Sequence, residues 1–341
     1  MPNLRHLTMD LTRVSENFSW YGYEWEEFIV AYLPKLKTLQ FRMMFSFRWC
    51  CNEEKVDELL NTFRTPFWLN ERRWFVRCEY NIRSMDMGLM GLNGSLYTLP
   101  YSFTAYRNFQ TQMLFKSTCP HDEDHWFYTN VREIDDVYKD FNWSLCPIRF
   151  PNIERLTIGL PANEDIWHVF LNLGHLTFLN IQQVDDTALD QLQVIIDRAP
   201  RLNTFVIKKS PASLVVLSKI TSPSICQIEW RNFTMMSDEL FDHNDCSTFV
   251  TSSLGRQCEI LTIAVKKTAN IFYLINTMSC LRSLTCQCQE DDGYQLVSMF
   301  QPLFQLLEVD RFMERLKKDL PSTCSIRRVP TDCTRVEIWI S

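Results

Sequence analysis

The stretch Cys119-Pro120-His121-Asp122-Glu123-Asp124-His125 concentrates residue types that ligate metals. Two histidines four apart can share one face of a helix, and zinc proteases use that spacing with Glu directly after the first His. Here Asp122 follows His121, two further acids come next, and Pro120 stands just before. That pattern favours a solvated acidic loop and leaves a metal-dependent hydrolase through His121 and His125 as a distant alternative. The cysteines add no zinc signature. No C-x-x-C occurs, Cys50 and Cys51 are adjacent, and Cys286 and Cys288 are separated by one residue, which is poor geometry for a tetrahedral site. Gly88, Gly91 and Gly94 are spaced three apart, with neither a G-x-G-x-x-G nor a Lys-Ser/Thr pair after them. They are expected to form a turn before a strand at Leu96 rather than a phosphate cradle. No G-x-S-x-G elbow is present either. Arg72, Arg73 and Arg77 interleave with Trp68, Trp74 and Phe75, a combination that can stack on single-stranded nucleic acid. Filling a core is the competing use of those aromatics, and it is the preferred one. The residues thus predict no enzyme, no cofactor and no nucleic-acid partner.

Composition bounds the setting for those residues. The chain has 341 residues, a formal charge of −6, 46% hydrophobic and 13% aromatic content. It is too apolar to be disordered and long enough for a full core. The acidic balance lacks the basic footprint of general nucleic-acid binders. Only 8 residues are Gly, about 2% where roughly 7% is usual. The start, Met1-Pro2-Asn3-Leu4-Arg5, has no basic region followed by an apolar one, and no apolar run nears the length of a membrane span. Thirteen cysteines, an odd number scattered along the chain, suit buried thiols in a reducing compartment. A cytoplasmic protein with no membrane partner is expected, with the nucleus as the alternative. Asn-x-Ser/Thr triplets at Asn17, Asn93, Asn142 and Asn232 are then chance matches.

A recurring phrase organises the rest: apolar, two residues, apolar, one residue, apolar. It reads Leu4/Leu7/Met9, Leu36/Leu39/Phe41, and more weakly Phe75/Cys78/Tyr80 and Leu96/Leu99/Tyr101. It resumes at Ile153/Leu156/Ile158, Leu176/Leu179/Ile181, Leu202/Phe205/Ile207, Ile225/Ile228/Trp230, Cys258/Leu261/Ile263 and Leu281/Leu284/Cys286. The spacing suits leucine-rich repeats of about 20–29 residues, although their Asn or Cys ladder position is not kept. Between the phrases, apolar residues fall at helical spacing: Trp25/Phe28/Ile29/Tyr32, Val56/Leu59/Leu60/Phe63, Leu189/Leu192/Ile196 and Ile271/Leu274/Ile275. Several helices stop at a Pro, as at Pro34, Pro66 and Pro200, so few Gly caps are needed. The expected architecture is α/β, an irregular leucine-rich-repeat-like solenoid of short parallel strands and helices. Residues 1–102 form its N-terminal part and residues 151–341 its C-terminal part. Residues 103–150 break the rhythm. Residues 121–140 there carry seven acids against Arg132 and Lys139, which predicts an exposed acidic insertion or linker.

Several phrases together resemble the repeat region of F-box/leucine-rich-repeat proteins. They are Leu33-Pro-Lys-Leu-Lys-Thr-Leu39, Phe67-Trp-Leu-Asn-Glu-Arg-Arg-Trp-Phe-Val-Arg-Cys78, Leu96-Tyr-Thr-Leu-Pro-Tyr101, Arg198-Ala-Pro-Arg-Leu202 and Asp319-Leu-Pro-Ser-Thr-Cys324. The resemblance implies a receptor whose repeats hold a protein substrate for a ubiquitin ligase. The F-box that would bind a ligase adaptor has no counterpart in these residues. The adaptor is therefore a partner only of a longer form, which an uncapped first strand at Leu4 leads one to expect. A scaffold unconnected to ubiquitin is the alternative. Repeat proteins bind on the exposed side of their strand ladder, and alternation puts the fifth and seventh residues of each phrase there. The expected partner-binding positions are Asp10, Arg42, Glu79, Asn180, Gln182, Lys208, Arg231 and Gln287.

Overall fold

The computed structural model describes residues 3–14, 21–48, 53–84, 90–107, 113–121, 125–137, 144, 146–231, 240–288, 312–329 and 335–340. It is a mixed α/β protein whose sheets are mixed and do not close into a barrel. Two compact units divide it. The first is Met1–Ile153 with Ala162–Asn172, and the second is Glu154–Pro161 with Leu173–Ser341.

The first unit begins as the repeat predicts. Strand β1 (His6–Val14) leads to helix α1 (Gly22–Tyr32), and strand β2 (Thr38–Arg48) follows. β1 and β2 run parallel, with Leu7 beside Leu39 and Met9 beside Phe41. Trp25, Ile29 and Leu33 bury one side of α1 against this layer, and Trp25 stacks on Phe41 at 5.7 Å. Helix α2 (Glu53–Thr62) buries Val56 and Leu60. It reaches α1 at Gly22, whose N–H donates to Thr62 Oγ1 at 2.6 Å. A Cβ on Gly22 would lie 2.2 Å from the Thr62 carbonyl oxygen, so only glycine allows this approach.

Beyond α2 the unit departs from a parallel ladder. Phe67–Arg72 form a π-helical turn rather than part of a strand. Arg73 closes it in the left-handed conformation, φ 54°, with the Trp74 N–H donating to the Trp68 carbonyl. Phe67, Trp68 and Trp74 fill the core, as their aromatic character suggests. Strand β3 (Val76–Ser84) is then followed by strand β4 (Met90–Thr98), which folds back antiparallel to it. β4 also pairs antiparallel with β2, so the sheet order runs β1, β2, β4, β3, β6, the last being Leu114–Ser117. Gly91 and Gly94 therefore lie within a central strand, not in the expected turn, while Gly88 lies outside the described residues. A Cβ on Gly94 would come within 2.4 Å of the Glu79 carbonyl oxygen and 2.7 Å of the Phe45 ring. The phrase at Phe75 does form a strand, but of the Leu96/Leu99/Tyr101 phrase only Leu96 lies in β4, and the chain reverses between β3 and β4. An apolar rhythm fixes which face is inward, not strand direction.

Residues 103–150 belong to this first unit rather than standing apart from it. They supply β5 (Ala105–Tyr106), β6 and β7 (Glu133–Val137), with β5 parallel to β7. Tyr106, Tyr128, Val131, Ile134 and Phe150 are all buried. Asp122, Glu123, Asp124 and Asp140 lie outside the described residues.

The second unit carries six parallel strands: β8 (Arg155–Ile158), β9 (Phe178–Ile181), β10 (Thr204–Lys208), β11 (Gln227–Arg231), β12 (Ile260–Val265) and β13 (Ser283–Cys288). The middle apolar residue of every phrase lies in one row: Leu156, Leu179, Phe205, Ile228, Leu261, Leu284. Each is at most 1% exposed. A helix enters every later connection. The four-residue helix α3 (Ile166–Val169) follows β8 in sequence; α4 (Leu189–Asp197), α5 (Pro211–Lys219), α6 (His243–Thr251), α7 (Ser253–Gln257) and α8 (Thr268–Thr277) follow. Ser210 caps α5 and Asp242 caps α6, each through a reciprocal capping box. A helix over 312–319 precedes β14 (Cys324–Arg328), and β15 (Val336–Ile340) lies antiparallel between β14 and β13.

Candidate functional site

The eight positions expected on the partner face are carried by strands of both units. Strand alternation puts those that lie within strands on the side opposite the apolar row. It does not leave all of them in solvent, and Arg42, Glu79 and Asn180 are a correction to the expected open face.

In the first unit, Tyr101, Tyr106, Trp126 and Tyr128 lie against residues of that face. Arg42 is 7% exposed and Glu79 is 2% exposed. The Arg42 guanidinium forms a two-pronged ion pair with Asp10, whose side chain keeps 38% exposure. It also donates to the Tyr101 hydroxyl at 2.7 Å and to the Ala105 carbonyl. Burial opposes the charged guanidinium, but Asp10 and Tyr101 together outweigh it and hold Arg42 above its ordinary value. Glu79 sits among hydroxyls: Ser95 donates to Oε1 at 2.6 Å, and Tyr106 and Tyr97 donate to Oε2.

Two residues away on β3, Arg77 is fully buried. It donates to the Tyr128 hydroxyl at 3.0 Å and the His125 carbonyl at 3.1 Å, with its guanidinium 3.7 Å from the centre of the Trp126 ring. Tyr128 and Tyr97 share a hydrogen bond of 2.6 Å. The directions are mutually consistent: Arg77 donates to Tyr128, Tyr128 to Tyr97, and Tyr97 to Glu79. Two buried opposite charges are thus joined through two phenols, which answers the need for buried charges to be paired and hydrogen-bonded. Burial, with Glu79 close by, holds the Tyr97 and Tyr106 hydroxyls well above the ordinary tyrosine range. Burial raises Tyr101 and Tyr128 too, against the opposing Arg42 and Arg77 charges. All four phenols stay protonated and act as donors. Tyr101 and Tyr128 stack face to face at 4.6 Å. Arg77 is internal and presents no surface to a nucleic acid. Arg72 donates to the Leu36 carbonyl and lies over the Phe67 and Trp74 rings.

In the second unit the face is more open. Asn180 is buried beside Thr157, to whose hydroxyl it donates at 3.4 Å. Gln182, Lys208, Arg231 and Gln287 are each half-buried. Lys208 and Arg231 are neighbours across β10 and β11, and the Arg231 Nε lies 3.5 Å from Glu229. Gln182 follows the last residue of β9, and its N–H donates to the Ile158 carbonyl at 3.1 Å. Gln287 pairs with Ala264 across β12 and β13. The row is polar and mixed in charge.

Other chemistry-bearing groups resolve similarly. His121 lies exposed in a turn and the half-buried His125 gives its carbonyl to Arg77. Among the described residues, no group of three or more His, Cys, Asp or Glu is placed to hold a metal ion. Cys78, Cys258 and Cys286 are buried as expected, and burial pushes the Cys258 thiol up to about 12. The sequence also gave no sign of Lys209, which is 9% exposed and bonds the Leu240 carbonyl and Asp245, each at 2.6 Å. The Asp242-x-x-Asp245 capping pair was the signal that could have located its partner. No helix of the described residues is long and apolar enough to cross a membrane. No protein-family model matches the chain, and no curated protein matches it.

Proposed function

We propose that the chain is a non-catalytic protein-interaction module, a leucine-rich-repeat-like solenoid in its second unit. Its partner is a protein bound across Gln182, Lys208, Arg231 and Gln287. The observation that carries this reading is the parallel register of β8 to β13, in which each copy of the phrase meets the same positions of the next. Stacked repeats of that kind create extended binding surfaces. The resemblance to F-box/leucine-rich-repeat proteins adds that the bound protein is a substrate for ubiquitin ligation.

The test is affinity capture with mass spectrometry, comparing the chain with a K208E/R231E variant. Proteins retained by the former and lost from the variant, whose circular dichroism is unchanged, support the face. Identical sets overturn it. A ligase adaptor captured by a form extended with an F-box supports the receptor role. Its absence from such a form leaves a scaffold unconnected to ubiquitin.

A further inference from the structure

Among the described residues, β1 has a strand neighbour on one side only. The Arg5 carbonyl accepts from the N–H groups of Lys37 and Thr38 at the start of β2. Backbone groups alternate sides along a strand, so those of His6, Thr8 and Asp10 point away from β2. Apolar cover is also incomplete there. Leu7, Met9 and Leu11 remain half-buried, whereas their neighbours Leu39, Phe41 and Met43 on β2 are at most 6% exposed. Helix α1 adds to this end. It meets α2 through Gly22 and reaches Thr65 through Glu26, and the opposite flank leaves Phe28 37% and Tyr32 63% exposed with their rings 5.3 Å apart. A nine-residue strand with an open edge and an apolar side is a template for pairing.

We infer that β1 pairs antiparallel with β1 of a second copy of this chain, about a two-fold axis at Thr8. Over His6–Asp10 the pattern of the strand is self-complementary in that register. Thr8 faces Thr8, Leu7 of one copy faces Met9 of the other, and His6 faces Asp10. Leu7 and Met9 meet on one face, and the polar residues His6, Thr8 and Asp10 meet on the other. The edge-facing groups of Thr8, His6 and Asp10 form the hydrogen-bonded pairs, which is the arrangement an antiparallel ladder requires. A two-fold contact uses the same patch twice and closes at two copies.

Sedimentation equilibrium of the full chain at micromolar concentration tests this. The chain is expected to be a dimer. Thr8→Pro removes an outward N–H without touching the β1–β2 ladder, and Thr8→Lys sets two like charges across the axis. Both variants are expected to be monomers with unchanged circular dichroism. If T8P fails to fold, T8K alone decides. Ser325→Lys, on the edge strand β14, is expected to leave the dimer intact. A monomeric parent chain, a T8K variant that remains dimeric, or dissociation by S325K overturns the proposal.

Discussion

The two units use the same apolar phrase and finish its outer face differently. In the first, Tyr101, Tyr106 and Tyr128 pack against β2, β3 and β4. The charged residues there, Arg42, Arg77 and Glu79, are held by tyrosine hydroxyls. In the second, the equivalent positions at Gln182, Lys208, Arg231 and Gln287 keep part of their surface in solvent. The phrase specifies an inward face and nothing about the other. What covers the outer face is decided by how the chain continues: a reversal at β3–β4 and an aromatic cover in one unit, a repeated helix and parallel return in the other.

The largest effect that would sharpen this contrast comes from Arg77→Ala. It strands Glu79 in a buried site, and breaking a buried pair in this way costs about 3–5 kcal/mol. Urea unfolding should show the loss, with Glu79→Gln in the same range and the double variant costing less than the sum. Additive losses would mean that the two charges are not joined through Tyr128 and Tyr97. Tyr106→Phe removes one donor to a buried carboxylate and is expected to cost about 1.5–3 kcal/mol by the same measurement.

In the second unit, Asp242→Ala removes the cap of α6 at a cost of about 1 kcal/mol, and Asp242→Asn costs much less. The N–H of Asp245, above all, holds the Asp242 carboxyl below its ordinary value. The stability it supplies is therefore full at neutral pH and is lost as pH falls through that lowered folded-state value. D242A should remove this acid-side loss from the unfolding profile. The smallest effect is expected from Lys208→Ala, within about 0.5 kcal/mol, because its face is half open. A loss comparable to that of Arg77→Ala would erase the distinction between the units.

Much of the second unit was legible beforehand. Leu156, Leu179, Phe205, Ile228, Leu261 and Leu284 were in phase in the sequence and form one row in the sheet, since each is a core residue of a strand returning the same way. The helices α1, α2, α4 and α8 were legible from their periodic apolar residues. The reversal at β4 was not. It accompanies Gly94, whose missing side chain admits Glu79 and Phe45, and an apolar rhythm does not record that. The outward orientation of Arg42 and Glu79 was readable from alternation. Their burial was not, because Tyr106 and Tyr128 lie in a stretch with no period to reveal which way they face. Acid-rich composition suggested exposure there, yet the apolar residues between the acids form the layer.

Tyrosine nitration of the folded chain, read residue by residue by mass spectrometry, bears most directly on that closed face. Tyr23 and Tyr32, 47% and 63% exposed, should react and serve as internal standards. Tyr97, Tyr101, Tyr106 and Tyr128 should remain unmodified until the chain unfolds. Modification of those four at the rate of Tyr32 in the folded chain would contradict the account.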